Sequence, residues 1–217
     1  MKAVVFDLDG VLVDSEQMWD EVRRWVVADY GGSWTDEATR AMQGMSTPEW
    51  ATYLVDELGV DLSVEQAAQL TIGEMTRRYA EGPPVLPGAV DTVRAVIARS
   101  PVAIASSSPP TLIRAFLEFA GLTDDVTVAV SSEQVAAGKP APDVYLEAAR
   151  QLGVPAAKCV AVEDSTNGLL AALAAEMTVV AIPNPHFPPA DDAVARAAVV
   201  IDDIAELPAA LDRLQLN

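Results

Sequence analysis

The chain opens with MKAVVFDLDGVLVDSE, residues Met1 to Glu16. Its apolar run Ala3–Phe6 predicts a buried β-strand, and this run ends in two carboxylates, Asp7 and Asp9, followed by Gly10. A carboxylate at the end of a buried strand needs a partner, because an unpaired charge is rarely kept out of water. This strand end is therefore the first candidate for a functional site.

Short apolar runs like the first one recur along most of the chain and alternate with helical patterns. Strands this apolar are typical of a parallel sheet that is covered by helices on both faces. The alternation predicts the α/β class, with a doubly wound, Rossmann-like parallel sheet as the core domain. The six predicted strands are Ala3–Phe6, Val102–Ala105, Val126–Val130, Cys159–Val162, Thr178–Ile182 and Val199–Ile201.

One stretch, residues 15–83, has helical patterns and no convincing strand. Helix starts are indicated at Asp14-Ser15, at Thr47-Pro48 and at the capping-box sequence Ser63–Gln66. The proline-rich segment Pro83–Pro87 ends the stretch. We therefore predict an all-helical cap domain, residues 15–83, inserted into a core domain formed by residues 1–14 and 84–217.

Composition narrows the function classes. The 217 residues are 51% hydrophobic and carry a formal net charge of −18, so the surface would repel nucleic acid and anionic membranes, and neither is expected as a partner. The sequence has no apolar run near the ~20 residues that span a bilayer and no signal-peptide pattern, and we expect a cytoplasmic protein. Cys159 is the single cysteine, which excludes an intrachain disulfide.

Polar residues follow four of the predicted strands. Ligands of an open parallel sheet bind at the carboxyl ends of its strands, so these residues are expected at one edge. Each of them alone has an ordinary explanation as a turn former, a helix cap or a solvated charge. Their joint occurrence is the informative observation: Asp7 and Asp9, then Ser106-Ser107-Ser108, then Gly138-Lys139-Pro140, then Glu163-Asp164-Ser165.

The chemistry of this set indicates phosphate and a cation. Four clustered carboxylates repel one another unless a cation lies among them, and an all-oxygen ligand set favours Mg²⁺. The Lys139 ammonium, the Ser106 hydroxyl and the backbone N–H of Ser107 could bind phosphate oxygens. Asp7 is then a candidate nucleophile, and Asp9 a candidate general acid and base.

These residues resemble the motifs of the haloacid dehalogenase superfamily of phosphohydrolases, in the right order and over nearly the whole chain. Its first motif, Asp-x-Asp-Gly, is similar to residues 7–10, and its hydroxyl motif to Ser106. Its lysine motif is similar to the stretch around Lys139, and its acidic motif to residues 162–165.

The resemblance implies a role for each matching residue. Asp7 would be the nucleophile and a Mg²⁺ ligand, and Asp9 would be the acid and base with its backbone carbonyl on the metal. Ser106 and Lys139 would hold the phosphate. Asp164 would complete the metal site, with Glu163 either as a ligand or as a partner of the ligands.

The helical insertion resembles the small cap of the subgroup that includes sugar-phosphate phosphatases and β-phosphoglucomutase. Relatives that act as mutases carry a histidine in the first cap helix and an arginine in the following loop. Trp19 stands at the first position, and the loop begins at Gln43, so these two residues are the candidates for substrate contact from the cap. Trp19 could equally belong to the core of the cap.

The leading hypothesis is therefore a Mg²⁺-dependent phosphatase that hydrolyses a small phosphorylated metabolite through an aspartyl-phosphate, with a sugar phosphate as the expected substrate. A β-phosphoglucomutase-like phosphotransferase and a non-catalytic receiver-type phospho-acceptor are the alternatives. Asp9 argues against dehalogenation, because a halide leaving group needs no proton. His186 with Ser106 does not form a convincing hydrolase pair, since Ser106 lacks a Gly-x-Ser-x-Gly setting. We expect a monomer.

Overall fold

A computed structural model describes residues 2–42 and 45–215. Its centre is a six-stranded, fully parallel sheet with the strand order β3-β2-β1-β4-β5-β6. This order is that of a doubly wound sheet, so the predicted α/β class is confirmed. The strands are β1 (Ala3–Phe6), β2 (Val102–Ser106), β3 (Val128–Ser131), β4 (Cys159–Glu163), β5 (Thr178–Ala181) and β6 (Val199–Val200).

The strand order reverses between β1 and β4. Strand β1 pairs with β2 on one side, Val4 opposite Val102, and with β4 on the other, Phe6 opposite Val162. On the two sides of this point the connections between strands run toward opposite edges of the sheet. They therefore diverge and leave a crevice at the carboxyl ends of β1 and β4. The residues that follow β1 and β4 therefore lie side by side at the place where such sheets bind ligands.

The sheet is covered on both faces. Val4 and Phe6 belong to one buried apolar cluster and Ala3 and Val5 to another, as the alternation of side chains along a strand requires. No helix among the described residues is long and apolar enough to cross a membrane. The covering helices are α5 (Ala89–Ile97), α6 (Pro110–Ala120), α7 (Asp143–Leu152), α8 (Thr166–Ala174), α9 (Asp191–Val194) and α10 (Leu207–Gln215).

In the described part of the segment between β1 and α5, four further helices pack around a third apolar cluster. The capping box at Ser63 and Gln66 is present as predicted. The second start is one residue earlier than predicted, because Ser46 caps the helix and forms a box with Glu49. These helices are α1 (Glu16–Asp29), α2 (Ala38–Ala41), α3 (Thr47–Asp56) and α4 (Val64–Glu81).

The inward face of the first of these helices does not simply follow residue hydrophobicity. Helical spacing groups Trp25 with Val22 and Val26, which are both buried, but Trp25 is 39% exposed, while Arg23 is buried. Trp19 and Trp50 are buried against each other, with ring centroids 5.9 Å apart. A hydrophobicity pattern places tryptophan inside and arginine outside, and here the actual helix face reverses both.

Two linkers connect the inserted helices to the sheet and run side by side. Val13 and Val85 form an antiparallel bridge, and the Asp14 N–H donates to the Pro84 carbonyl at 2.8 Å. The Leu86 N–H donates to the Leu12 carbonyl at 2.9 Å. We propose residues 15–83 as the cap domain and residues 1–14 with 84–217 as the core domain, since this pairing coincides with the predicted boundary.

Candidate active site

Lys139 joins the ends of β1 and β4. Its ammonium nitrogen lies 2.8 Å from Asp7 Oδ1 and 2.6 Å from Glu163 Oε1, and all three residues are buried. Asp7 follows β1 and Glu163 ends β4, and the loop after β3 supplies the lysine. The fold thus brings together three side chains that the sequence separates by more than 150 residues, as the strand-end reading predicted.

Glu163 is saturated with hydrogen bonds. Its Oε1 also accepts from the Tyr145 hydroxyl at 2.6 Å, and its Oε2 accepts from the backbone N–H of Asp164 at 3.1 Å and from the Ser165 hydroxyl at 3.2 Å. Gly168 leaves room for this carboxylate, because a Cβ there would lie 1.9 Å from Glu163 Oε1. Because both of its oxygens accept hydrogen bonds, Glu163 can hold Lys139 and the backbone of Asp164 in fixed positions.

The crowding of charge shows in the pKa values. Burial, reinforced by Glu163, raises the pKa of Asp7 to about 8. Burial and the carboxylates of Glu163 and Asp7 likewise hold the pKa of Asp164 well above its usual range. Burial by itself disfavours the Lys139 ammonium, yet Asp7 and Glu163 outweigh it and keep the pKa of Lys139 above its ordinary value.

Oxygen ligands for a cation lie in the same cluster. Carboxylate oxygens of Asp7, Glu163 and Asp164 all fall within 4.8 Å of one another. Asn184 Nδ2 lies 3.4 Å from Asp164 Oδ2 and can orient that carboxylate. The donor set is all oxygen, which fits Mg²⁺, and a cation here would offset the repulsion that raises the pKa of Asp7.

Asp9 is held by hydroxyl groups. Its Oδ2 accepts from Ser108 at 2.7 Å and from Ser106 at 3.3 Å, and its Oδ1 accepts from Ser15. Ser15 was predicted as a helix cap, but its side chain makes no capping hydrogen bond and serves Asp9 instead. Ser131 fixes the serine loop in turn by donating to the Ser108 carbonyl at 2.7 Å.

Gly10 is required by two features of this site. Its φ of +79° lies in the left-handed region, and a Cβ on it would come within 1.9 Å of Asp164 Oδ2. Only glycine at this position therefore allows the loop after β1 to lie close to Asp164, which follows β4.

We expect Gly10→Ala to lower enzymatic turnover at this site by more than about 10-fold, because Asp164 must move aside. Gly31→Ala is the matched control: its φ is +76°, but nothing lies within 4 Å of the added Cβ. That control should lose only about 1 kcal/mol of stability and no activity. Initial rates and urea unfolding of both variants measure the difference, and equal rates for the two would contradict the role of Gly10.

A cleft runs over this cluster between the sheet edge and the inserted helices. Five predicted site residues line it, namely Asp7, Asp9, Ser107, Lys139 and Asp164, and Trp19 lines it from the cap side. Ser106 is fully buried and turns its hydroxyl to Asp9, so its predicted phosphate contact stays a prediction. Gln43 lies outside the described residues.

Several cleft residues were missed by sequence reasoning. Glu16, Arg23 and Arg40 line the cleft from the inserted helices, and Asn184 from the loop after β5. Glu16 directly follows the motif stretch, so its position was a usable signal. Arg23 carried none, because a single arginine in an amphipathic helix normally faces solvent. His186 is exposed in the same loop as Asn184 and is not among the cleft residues.

The chain is similar to known proteins over most of its length. The family model "haloacid dehalogenase-like hydrolase" matches residues 1–176. Hexitol phosphatase B of Escherichia coli strain K12 is 32% identical over 195 residues, covering 85% of this chain and 84% of that protein. A phosphorylated carbohydrates phosphatase of Thermotoga maritima is 33% identical over 176 residues, covering 81% and 82%.

A solved structure agrees over nearly the full length. CbbY of Rhodobacter sphaeroides in complex with phosphate superposes with a TM-score of 0.84 at 27% identity, covering 95% of this chain and 96% of that one. The chain belongs to the haloacid dehalogenase-like hydrolases, and its curated relatives place it with the phosphatases of that family.

Proposed function

We propose that the protein is a Mg²⁺-dependent phosphatase that hydrolyses a small sugar phosphate through an aspartyl-phosphate on Asp7. The observation that carries the proposal is the contrast between two carboxylates one residue apart. Asp7 is held by the Lys139 ammonium, whereas Asp9 is held by the hydroxyls of Ser15, Ser106 and Ser108. Different partners suit the two to different tasks.

In the first step Asp7 attacks phosphorus. A bond forms between a carboxylate oxygen of Asp7 and the phosphorus, and the bond from phosphorus to the sugar oxygen breaks. Asp9 donates its proton to that leaving oxygen, so a neutral alcohol departs. Lys139 holds the carboxylate in place and contributes positive charge beside the phosphoryl oxygens.

In the second step the aspartyl-phosphate is hydrolysed. Asp9, now a carboxylate, takes a proton from water while the water oxygen attacks phosphorus. The bond between phosphorus and the Asp7 oxygen breaks, which restores both carboxyl groups and releases inorganic phosphate. The three serine hydroxyls around Asp9 keep it oriented toward the same reacting atoms in both steps.

Asp7, Asp164 and the backbone carbonyl of Asp9 would hold the Mg²⁺, and Glu163 would fix their positions through Lys139 and the Asp164 backbone. The ion would supply charge stabilisation for the phosphate oxygens. Ser107 would add a backbone N–H donor to the phosphate.

Removal of divalent metal should abolish activity and lower stability together. With EDTA we expect p-nitrophenyl phosphate turnover to fall by more than about 10²-fold, since charge stabilisation of the phosphate is lost. Mg²⁺ in excess of its Kd should raise the melting temperature, because it binds the folded state only. Calorimetric melting and phosphate release, each with and without Mg²⁺, measure the two effects. Full turnover in EDTA would contradict the metal requirement.

The sugar class is proposed from the relatives, whose names refer to hexitol phosphate and phosphorylated carbohydrates. A mutase would instead form an isomerised product and depend on a sugar bisphosphate activator. Trp19 occupies the position where the resembling mutases have histidine, which favours plain hydrolysis. A receiver-type module would hold its phosphoryl group without turnover, so rapid phosphate release separates it from the enzyme.

A further inference from the structure

A buried arginine on the cap side of the cleft has no carboxylate partner among the residues that the structure describes. Arg23 is 7% exposed and lines the cleft from α1. Within residues 2–42 and 45–215, no carboxylate lies within ion-pair distance of it, and its Nε makes no hydrogen bond. Other arginines do have carboxylate partners, as the pairs of Arg24 with Asp20 and of Arg78 with Glu74 illustrate.

Two indole rings fix the Arg23 guanidinium. Its central carbon lies 4.9 Å from the centroid of Trp19 and 5.2 Å from that of Trp50. The two ring centroids are 5.9 Å apart, so the guanidinium contacts both rings at similar distances. This contact orients a planar cation while it uses none of the N–H donors.

The charge of Arg23 persists despite burial. Burial lowers the pKa of Arg23 to about 10, so the group is a cation at neutral pH. Among the carboxylates near Arg23, Glu16 has the largest electrostatic effect on it. Burial raises the pKa of Glu16 to about 7, so its negative charge only partly balances the positive charge of Arg23. A buried cation without a hydrogen-bonded partner is costly, and an anionic ligand group would relieve that cost.

The position of Arg23 defines which part of a substrate would meet it. Lys139 and Asp7 lie at the sheet edge of the cleft, where the proposed reaction places the transferred phosphoryl group, whereas Arg23 lines the cleft from helix α1. Arg23 would therefore face the part of a substrate that is not transferred. A second arginine, Arg40, lines the same cleft and is exposed. A planar guanidinium suits bidentate binding of a carboxylate or a phosphate.

We propose that Arg23 binds a second anionic group of the substrate, a carboxylate or a second phosphate, at the end away from the phosphoryl group that is removed. The inference rests on the proposed phosphatase function. It makes the substrate class a phosphorylated sugar acid or a sugar bisphosphate, in preference to a neutral sugar or polyol monophosphate.

Matched substrate pairs test the charge preference on the wild-type enzyme with Mg²⁺. Sorbitol 6-phosphate and 6-phosphogluconate share a six-carbon chain and its hydroxyl groups and differ at the far end, in a hydroxymethyl against a carboxylate. Fructose 6-phosphate and fructose 1,6-bisphosphate give the corresponding phosphate arm. In at least one pair, we expect kcat/KM to be about 10-fold higher for the member that carries the second anionic group. A factor of this size corresponds to the free energy of one charge-assisted hydrogen bond. Equal values in both pairs would overturn the inference.

Variants assign that preference to Arg23. Arg23→Gln should bring the ratio within a pair close to one, mainly through KM of the anionic substrate, and Arg23→Lys should retain part of it. Arg24→Gln is the matched control, because Arg24 is the next residue, also lies over a tryptophan (4.4 Å from the Trp34 centroid), and pairs on the surface with Asp20. If Arg23 had a purely structural role, Arg23→Gln would lower kcat/KM equally for both substrates of a pair, and that result would overturn the proposal.

Binding to the Asp7→Asn variant separates this proposal from the proposed reaction. Calorimetry with Mg²⁺ and each member of the two substrate pairs needs no turnover. Tighter binding of 6-phosphogluconate than of sorbitol 6-phosphate, or of fructose 1,6-bisphosphate than of fructose 6-phosphate, supports the anion site even if hydrolysis fails, provided that the difference is lost in the Asp7→Asn, Arg23→Gln double variant. Equal affinities within both pairs, or no binding of 6-phosphogluconate and of fructose 1,6-bisphosphate, would overturn the proposal, while p-nitrophenyl phosphate turnover reports on the phosphatase function alone.

Discussion

Asp7→Asn is expected to reduce phosphatase turnover by more than about 10³-fold, because an amide cannot replace the attacking carboxylate. The fold should survive, since the amide oxygen can still accept the hydrogen bond from Lys139. Stability should not fall sharply either, because the substitution removes a carboxyl group whose burial raises its pKa to about 8. Phosphate release from p-nitrophenyl phosphate and circular dichroism measure the two expectations.

The covalent step can be tested directly at the same residue. Borohydride reduction of protein quenched during turnover should convert an aspartyl-phosphate at Asp7 into homoserine, which mass spectrometry locates, whereas direct attack of water on the substrate would leave Asp7 unchanged. Asp124→Asn, in an exposed turn, is the control for the chemical change itself and should retain full activity. Undiminished turnover by Asp7→Asn would remove Asp7 from the nucleophile role.

Lys139→Met should have the largest effect on stability. The substitution leaves Asp7 and Glu163 buried together without the ammonium that joins them. Breaking a buried pair from one side costs about 3–5 kcal/mol, and we expect a loss of this size in the free energy of unfolding. Turnover should fall by more than about 10²-fold, because the nucleophile loses its orientation and the phosphate loses a cation.

Lys158→Met provides the comparison for this variant. It removes the same charge from an exposed lysine in the turn before β4, and it should change stability by less than about 0.5 kcal/mol. Urea unfolding at pH 7 in EDTA compares the two without metal. If Lys139→Met unfolded at the same urea concentration as Lys158→Met, the buried triad would not hold the strand ends together.

The sheet and the core of the site follow from the sequence because both depend on simple periodic rules. Apolar runs predict the strands, and parallel strands bring the residues after them to one edge, which is why Asp7, Lys139 and Glu163 meet. The exact limits depend on pairing partners. Strand β3 begins at Val128 rather than Val126, because pairing starts where Ala103 of β2 lies opposite Val128.

The cap side of the cleft could not be predicted in the same way. The inward face of α1 is set by how four short helices fit together, and this fit places Arg23 inside and Trp25 outside. Ser15 shows the same limit, because a serine before a helix indicates a cap, whereas the neighbouring carboxylate of Asp9 takes its hydroxyl. Contacts between distant segments decide such positions, and no local pattern carries them.

The pairing of the two linkers has a consequence for how such enzymes diversify. Because Val13 lies against Val85, the insertion leaves and re-enters the core at neighbouring points. The distance that a substituted helical module must span there is small and does not depend on the size of the module. A cap from a relative with another substrate could therefore be grafted at this junction without altering the sheet, and the phosphate chemistry would be inherited while the recognition changed.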